Sequence, residues 1–453
     1  MSVQLINPWT GQAEYRYDYA DEMAVERVLQ AAAEAWPEWA RRDLDSRGVL
    51  LKAVAGVLRA RREAIAATMG AEMGKLRREA LAEIEKSASA CDYYAEHAAD
   101  YLHDGDIATE ARRSYVTYEP IGCVFAVMPW NFPIWQVFRF LAPSLMAGNV
   151  AVLKHATNVP RCADAIAEVL REAGLPTGVF GVLHIDNDAA ARVIGDPRVH
   201  AVTLTGSERA GRSVAATAGR HLKKCVLELG GSDPFVVMDD ADLDLTIPAA
   251  IASRYGNAGQ TCIAAKRFIA THGIADAFVE RFIDAASELQ IGDPALDATT
   301  LAPMARADLR DELHAQVMRS LEAGAKLLLG GTPGQGAAHY PATVLDAVAP
   351  GTVAYREELF GPVASILRAT DEADAIRLAN DTQFGLGASV WTADPARGEA
   401  VARKLQAGAT FVNAIVRSDV RLPFGGTKTS GYGRELAEHG IHEFMNIKTV
   451  YVA

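Results

Sequence analysis

Between residues 21 and about 73, apolar positions recur at helical spacing, as in Leu50, Leu51, Val54, Val57 and Leu58, with arginines and glutamates on the opposite face. This pattern predicts helix, and a further helix is predicted over 75–100. The polar stretch 104–111 leads into the strand-like Ser114-Tyr-Val-Thr-Tyr118, a segment free to leave the domain body. Beyond it the period changes. Short β-branched runs at 124–127, 150–153, 179–183 and 201–204 alternate with helical stretches such as 161–173 and 189–194. Such alternation predicts an α/β fold with a mostly parallel sheet covered on both faces. Sheets of this kind bind dinucleotides at the carboxyl ends of their strands. After Glu228-Leu-Gly-Gly231 a similar alternation runs through 235–238, 267–271, 363–367 and 410–413 and predicts a second α/β domain. The Gly- and Pro-rich stretch 330–341 reads as a surface loop.

At 453 residues the chain exceeds one hydrophobic core, in keeping with two or three domains. Its 45 basic and 57 acidic residues leave a net charge of -12, which opposes attraction to nucleic acid or an anionic membrane surface. A small-molecule partner is expected instead. Cys91, Cys123, Cys162, Cys225 and Cys262 are odd in number and far apart, unlike a disulfide framework, so a reducing compartment is implied. No targeting signal is visible in the first eleven residues, and the apolar stretches 121–128 and 141–153 are short or broken. A cytoplasmic location is expected. The histidines are scattered, and no metal site is expected from their spacing.

Cys262 follows Asn257-Ala-Gly-Gln-Thr261 and precedes Ile263-Ala-Ala265, so small neighbours leave its sulfur approachable. A nucleophilic thiol needs that access, and it needs help toward the thiolate. An inert buried thiol is the commoner role for a cysteine taken alone. Glu228 ends a strand-like run before two glycines and is a candidate base for activating water, with an ion-pair or capping role as the plainer alternative. In Pro129-Trp-Asn-Phe-Pro133 two prolines stiffen a loop on which Asn131 could donate to an oxyanion, or simply form a turn. Gly206-Ser-Glu-Arg-Ala-Gly211 places a glycine turn before a helix, a setting that can hold a phosphate, although the spacing is not G-x-G-x-x-G. Lys154 could donate to a ribose hydroxyl or stand as a solvated lysine.

Taken in order, Pro129-Trp-Asn-Phe-Pro133, Lys154, the Gly206 turn, Glu228-Leu-Gly-Gly231, Gly259-Gln-Thr-Cys262, Glu357-Glu-Leu-Phe-Gly-Pro362 and Pro423-Phe-Gly-Gly426 resemble the aldehyde dehydrogenase superfamily over almost the whole chain. Within it, Arg417-Ser-Asp-Val-Arg-Leu-Pro-Phe-Gly-Gly426 and His439-Gly-Ile-His-Glu-Phe-Met-Asn-Ile-Lys448 resemble the succinate-semialdehyde dehydrogenase branch. The resemblance implies a Rossmann-type NAD(P)-binding domain at 1–103 and 121–229 and a catalytic domain at 230–428. It also implies a small β arm for oligomerisation at 104–120 and 429–453, and a homodimer or homotetramer.

By the same resemblance Cys262 is the nucleophile, Glu228 the general base and Asn131 the side-chain half of an oxyanion hole. Pro129, Trp130, Lys154, Thr157, Gly206, Ser207, Gly211, Leu229, Glu358 and Phe360 are expected at the cofactor, NAD or NADP. Members that prefer NAD commonly carry a Glu at the position of Thr157; its absence removes a repulsion against the 2′-phosphate and predicts use of both cofactors. Arg139 is the expected fork for a distal carboxylate, with Arg254, Arg417 and Arg421 as substitutes, because Gly256 stands where some relatives have a second arginine. Oxidation of succinate semialdehyde is the leading expectation. A different aldehyde such as glutarate semialdehyde or an uncharged one, a coenzyme-A-acylating relative, and a non-catalytic protein of this fold are the rivals.

Overall fold

The computed structural model describes residues 2–453. The predicted helical region is three helices, Glu22–Arg41, Leu44–Ala60 and Arg62–Met73, followed by a long helix, Arg77–Leu102. Their ends follow from local chemistry. The Asp21 and Asp43 carboxylates accept from the Ala24 and Ser46 amides as N-caps, and Gly74, at φ 74°, closes the third helix in the left-handed region. Arg77–Leu102 buries Ala80, Ile84, Ala88, Cys91, Tyr94 and Ala98, a stripe spaced at three and four residues.

Two sheets follow. In the six-stranded sheet the order is Gly431–Tyr432, Lys224–Glu228, Val199–Thr205, Cys123–Met128, Val150–His155 and Phe180–Val182, parallel except at Gly431–Tyr432. Chain order reverses on either side of Cys123–Met128, which opens a crevice at the carboxyl ends of the central strands. The seven-stranded sheet runs Lys326–Leu329, Thr343–Asp346, Val363–Ala369, Ala265–Thr271, Asp233–Val237, Gly387–Trp391 and Ala409–Val412, with only Lys326–Leu329 antiparallel. Alternate side chains of its strands serve separate cores: Phe235 and Phe268 pack with Phe278, Phe282 and Trp391, while Val236 and Ile269 face Val317, Leu345 and Leu367.

Gly105–Asp106, Arg113–Pro120 and Met445–Val452 form a separate antiparallel sheet. The C-terminal tail is therefore divided. Gly431–Tyr432 joins the six-stranded sheet, and only the end of 429–453 pairs with the arm. No helix among the described residues is long and apolar enough to cross a membrane.

The helix Trp135–Ala147 gave no periodic signal because all thirteen of its residues are buried. It lies against Arg77–Leu102 and the strands Cys123–Met128 and Val150–His155. Having no side-chain cap of its own, it borrows one: Glu83 Oε1 accepts from the Ile134 and Trp135 amides at 2.9 and 3.0 Å.

Phe268, fully buried, has ring centroids 5.2, 6.1 and 4.9 Å from those of Phe235, Phe278 and Phe282. Replacing it by Ala opens a cavity and costs about 3–5 kcal/mol. The expected outcome is a lower thermal unfolding midpoint for Phe268→Ala, measured by calorimetry.

Candidate active site

The strand Cys123–Met128 delivers Asn131 to the crevice, and four hydrogen bonds hold that residue. Its carbonyl accepts from Lys75 Nζ at 2.8 Å and from Asn257 Nδ2 at 2.9 Å. Its side-chain Nδ2 donates to the Gln260 carbonyl at 2.8 Å, and its Oδ1 accepts from Gln136 Nε2 at 3.1 Å. This set fixes which end of the amide is the donor and leaves one Nδ2 hydrogen uncommitted. Lys75 forms a buried ion pair with Glu83, the carboxylate that caps Trp135–Ala147.

Cys262 ends an unusual turn. Asn257, Ala258 and Gly259 have φ of 53, 52 and 70°, and a left-handed backbone at two residues with side chains stores strain. Buried side chains enforce it. Arg254 donates to the carbonyls of Gly259, Gly361 and Ala265 at 2.7, 2.8 and 3.1 Å. Lys266 donates to those of Thr261 and Cys262 at 2.9 and 2.8 Å. Glu79 accepts from the Asn257 amide at 2.9 Å. A Cβ at Gly259 would overlap the Gly361 carbonyl and the Arg254 guanidinium, so glycine is required there.

Cys262, Asn131 and Glu228 line one cavity of about 300 Å³. Burial pushes the Cys262 thiol up to about 11, against the opposing pull of Arg139 and Lys266. Glu228 is 2% exposed, and neither carboxyl oxygen has a hydrogen-bond partner. Burial, reinforced by Glu435, raises its pKa well above the usual carboxylate range, while Arg139 and Arg434 pull the other way. Both groups therefore hold their protons tightly and become strong nucleophile and base once these are lost.

The same cavity is lined by Pro129, Trp130, Gly206, Ser207, Leu229, Glu358 and Phe360. Ser207 caps the helix Glu208–Arg220 by accepting from Ala210, so the Gly206-Ser207 turn presents a helix N-terminus to the crevice. Gly211 lets that helix pack on Leu229, whose methyls a Cβ would meet at 2.6 Å. Glu358 pairs with Lys266 at 3.0 Å and accepts from the Gly231 amide at 3.2 Å; a Cβ at Gly230 would overlap it. Phe360 meets Trp130 edge to face at 5.8 Å. An elongated dinucleotide fits this donor set, with a helix N-terminus for phosphates and a carboxylate beside aromatic rings. Lys154 and Thr157 lie outside this lining: Lys154 is buried beside Val127 in the sheet, and the Thr157 carbonyl accepts from Tyr17 at 2.9 Å. His155 is buried and held by the Pro133 carbonyl and the Ala156 amide; burial pushes it down to about 4, so it adds no positive charge.

A second cavity, of about 320 Å³, reaches Thr261 and Ile263, the neighbours of Cys262, and is also lined by Phe132, Trp135, Ile415 and Val416. No arginine is among the residues that line either cavity. Arg139 is 2% exposed, ion-paired with Glu435, bonded to Thr205 Oγ1 at 3.2 Å and stacked over Phe424. Arg254 is fully buried on the three carbonyls named above. Arg417 and Arg421 are exposed, Arg421 pairing with Asp419 at 2.6 Å.

Gln136, Lys266 and Glu435 were not foreseen. The one available sign was Lys266-Arg267, two charges inside the otherwise apolar strand Ala265–Thr271, which demand internal partners. Leu309, Glu312, Leu313 and Gln316 of the helix Ala307–Glu322 complete the wall of the first cavity and carry no motif.

The aldehyde dehydrogenase family model matches residues 1–450. The chain belongs to this family. Among its relatives in the aldehyde dehydrogenase family, the NAD(P)+ succinate semialdehyde dehydrogenase Sad of Escherichia coli is 50% identical over 447 residues, covering 98% of this chain and 97% of that one. A probable NADP+ succinate-semialdehyde dehydrogenase of Synechocystis is 46% identical over 457 residues and the full length of both. The crystal structure of succinic semialdehyde dehydrogenase from Streptococcus pyogenes, in complex with NADP+, superposes with a TM-score of 0.97 at 38% identity over 99% of each chain.

Gln136→Leu removes the donor that orients the Asn131 amide. The expected result is a fall in kcat of about tenfold or more, as for a weakened oxyanion donor, measured by steady-state kinetics at saturating cofactor.

Proposed function

We propose that this aldehyde dehydrogenase oxidises succinate semialdehyde to succinate with either NAD or NADP. The observation that carries the chemistry is the convergence of Cys262, Asn131 and Glu228 on one cavity whose far wall suits a dinucleotide. The substrate and cofactors rest on the full-length likeness to succinate-semialdehyde dehydrogenases of both cofactor types. Pro129, Trp130, Glu358 and Phe360 would hold the nicotinamide end, Gly206, Ser207, Gly211 and Leu229 the phosphate turn, and Lys154 with Thr157 the adenosine end.

In this reading Cys262 Sγ, having lost its proton, bonds to the aldehyde carbon, and the carbonyl electron pair moves onto oxygen. The free Asn131 Nδ2 hydrogen and the Cys262 amide hold that oxyanion. NAD(P)+, when held by the residues named above, would supply the hydride acceptor, and the carbon left on Cys262 would then be a thioester. Glu228 takes a proton from water as its oxygen attacks the thioester. Cleavage of the C–S bond releases the acid and restores Cys262.

We also propose a homodimer or homotetramer built through the arm, whose Ile107, Ile447, Tyr451 and Val452 are exposed apolar residues. The cofactor domain is taken as 1–103 with 121–229, the catalytic domain as 230–428, and the location as cytoplasmic.

The test is a comparison of kcat/KM for succinate semialdehyde, glutarate semialdehyde and butanal with each cofactor. Succinate semialdehyde should lead with both NAD and NADP, and Cys262→Ala should form no reduced cofactor. Glu228→Gln should release one equivalent of reduced cofactor and then slow. A lead for butanal, or turnover by Cys262→Ala, would overturn the proposal.

The raised pKa values give pH dependence a definite sign. With Cys262 near 11, its thiolate fraction grows roughly tenfold per pH unit through neutrality, and Glu228 is freed in the same direction. The rate of the first burst of reduced cofactor, followed by stopped flow, should therefore climb from about pH 6 to 9. A flat profile would contradict this assignment.

A further inference from the structure

The second cavity has no arginine, yet a semialdehyde that carries a carboxylate needs a cation there. Of the residues lining it, only Lys86, Glu79 and Glu83 are charged. Glu83 is spent internally: one oxygen pairs with Lys75 and the other accepts from the Ile134 and Trp135 amides. Glu79 accepts from the Asn257 amide, and burial raises its pKa toward the neutral acid. Lys86 has no such partner. Its Nζ donates to Ser418 Oγ at 2.7 Å and stands 4.3 Å from the centre of the Trp135 ring, itself part of the cavity wall. An ammonium has three donors, and neither partner carries a negative charge.

We propose that Lys86, held in place by Ser418 and Trp135, is the group that binds the distal carboxylate of the substrate. The inference rests on the succinate semialdehyde reading above. Lys86 is half-buried with no carboxylate partner, and an anionic ligand would supply the missing counter-charge. Burial, aided by Arg139 and Arg417 and opposed by Glu83 and Asp419, pushes Lys86 down to about 8, in keeping with a charge awaiting its counter-ion. The geometry also explains how the site can work without the expected arginines. Arg139 is committed to Glu435 and Arg254 to backbone carbonyls, whereas Lys86 retains free donors and lines the cavity that reaches the neighbours of Cys262.

The experiment compares Lys86→Met and Lys86→Arg with the wild type on succinate semialdehyde and butanal, and measures inhibition by succinate. In Lys86→Met the ratio of kcat/KM for succinate semialdehyde to that for butanal should fall about tenfold or more, chiefly through KM, and the inhibition constant for succinate should rise in parallel. Lys86→Arg should keep most of the preference. Ser418→Ala, which frees the ammonium without removing it, should show a smaller loss in the same direction. An unchanged ratio in Lys86→Met, or undiminished inhibition by succinate, would overturn the proposal. If the wild type itself favours butanal, the substrate reading fails. If it favours the anion and Lys86→Met does so equally, the role of Lys86 alone fails.

Discussion

The candidate active site depends on the bonds that tie Asn131 to the turn before Cys262. The backbone carbonyl of Asn131 is held by Lys75 and Asn257, and its side chain by Gln260 and Gln136. The Pro129–Pro133 loop belongs to the six-stranded sheet, whereas the cysteine turn precedes a strand of the seven-stranded one. Asn131 and Cys262 thus come from different sheets and are linked through the bonds that Asn131 makes to Asn257 and Gln260. Arg254 and Lys266 brace the turn from behind, and Lys266 also ties it to Glu358 on the cofactor side. A strained backbone can persist only where its surroundings over-determine it, and here several buried donors do so.

Burial sets how tightly the groups of the site hold their protons. Arg139 lies close enough to shift Cys262, Glu228 and Glu435, yet loss of water is the largest influence on each of the four groups. The pairing of Arg139 with Glu435 holds a guanidinium near Cys262 and Glu228 without offering it to solvent. A free arginine fork would bind anions there. A committed one tunes its neighbours instead.

Sequence patterns revealed the alternating strands and helices because exposed and buried positions differ along them. Trp135–Ala147 was invisible for the opposite reason: with every residue buried, it has no polar face to set a period. Cys262, Glu228 and Asn131, which line one cavity, could be singled out because each sits in a short motif shaped by local backbone needs. Gln136, Lys266 and Glu435 were not, since their importance arises from partners far away in sequence. The surroundings of the arginines were hidden for a related reason. Residue type suggested carboxylate binding, but whether a guanidinium is free depends on what surrounds it, and Glu435 and three carbonyls had already claimed Arg139 and Arg254.

The position of Lys266 reaches further than bracing. The carbonyl of Thr261, on which its ammonium rests, belongs to the same peptide plane as the N–H of Cys262. Resonance across that plane couples its two ends. A positive charge on the oxygen draws electron density through the amide and leaves the hydrogen more positive. A side chain buried behind the turn can in this way make the N–H on the other side of a single peptide unit a stronger donor, so the backbone serves there as a conductor as well as a scaffold.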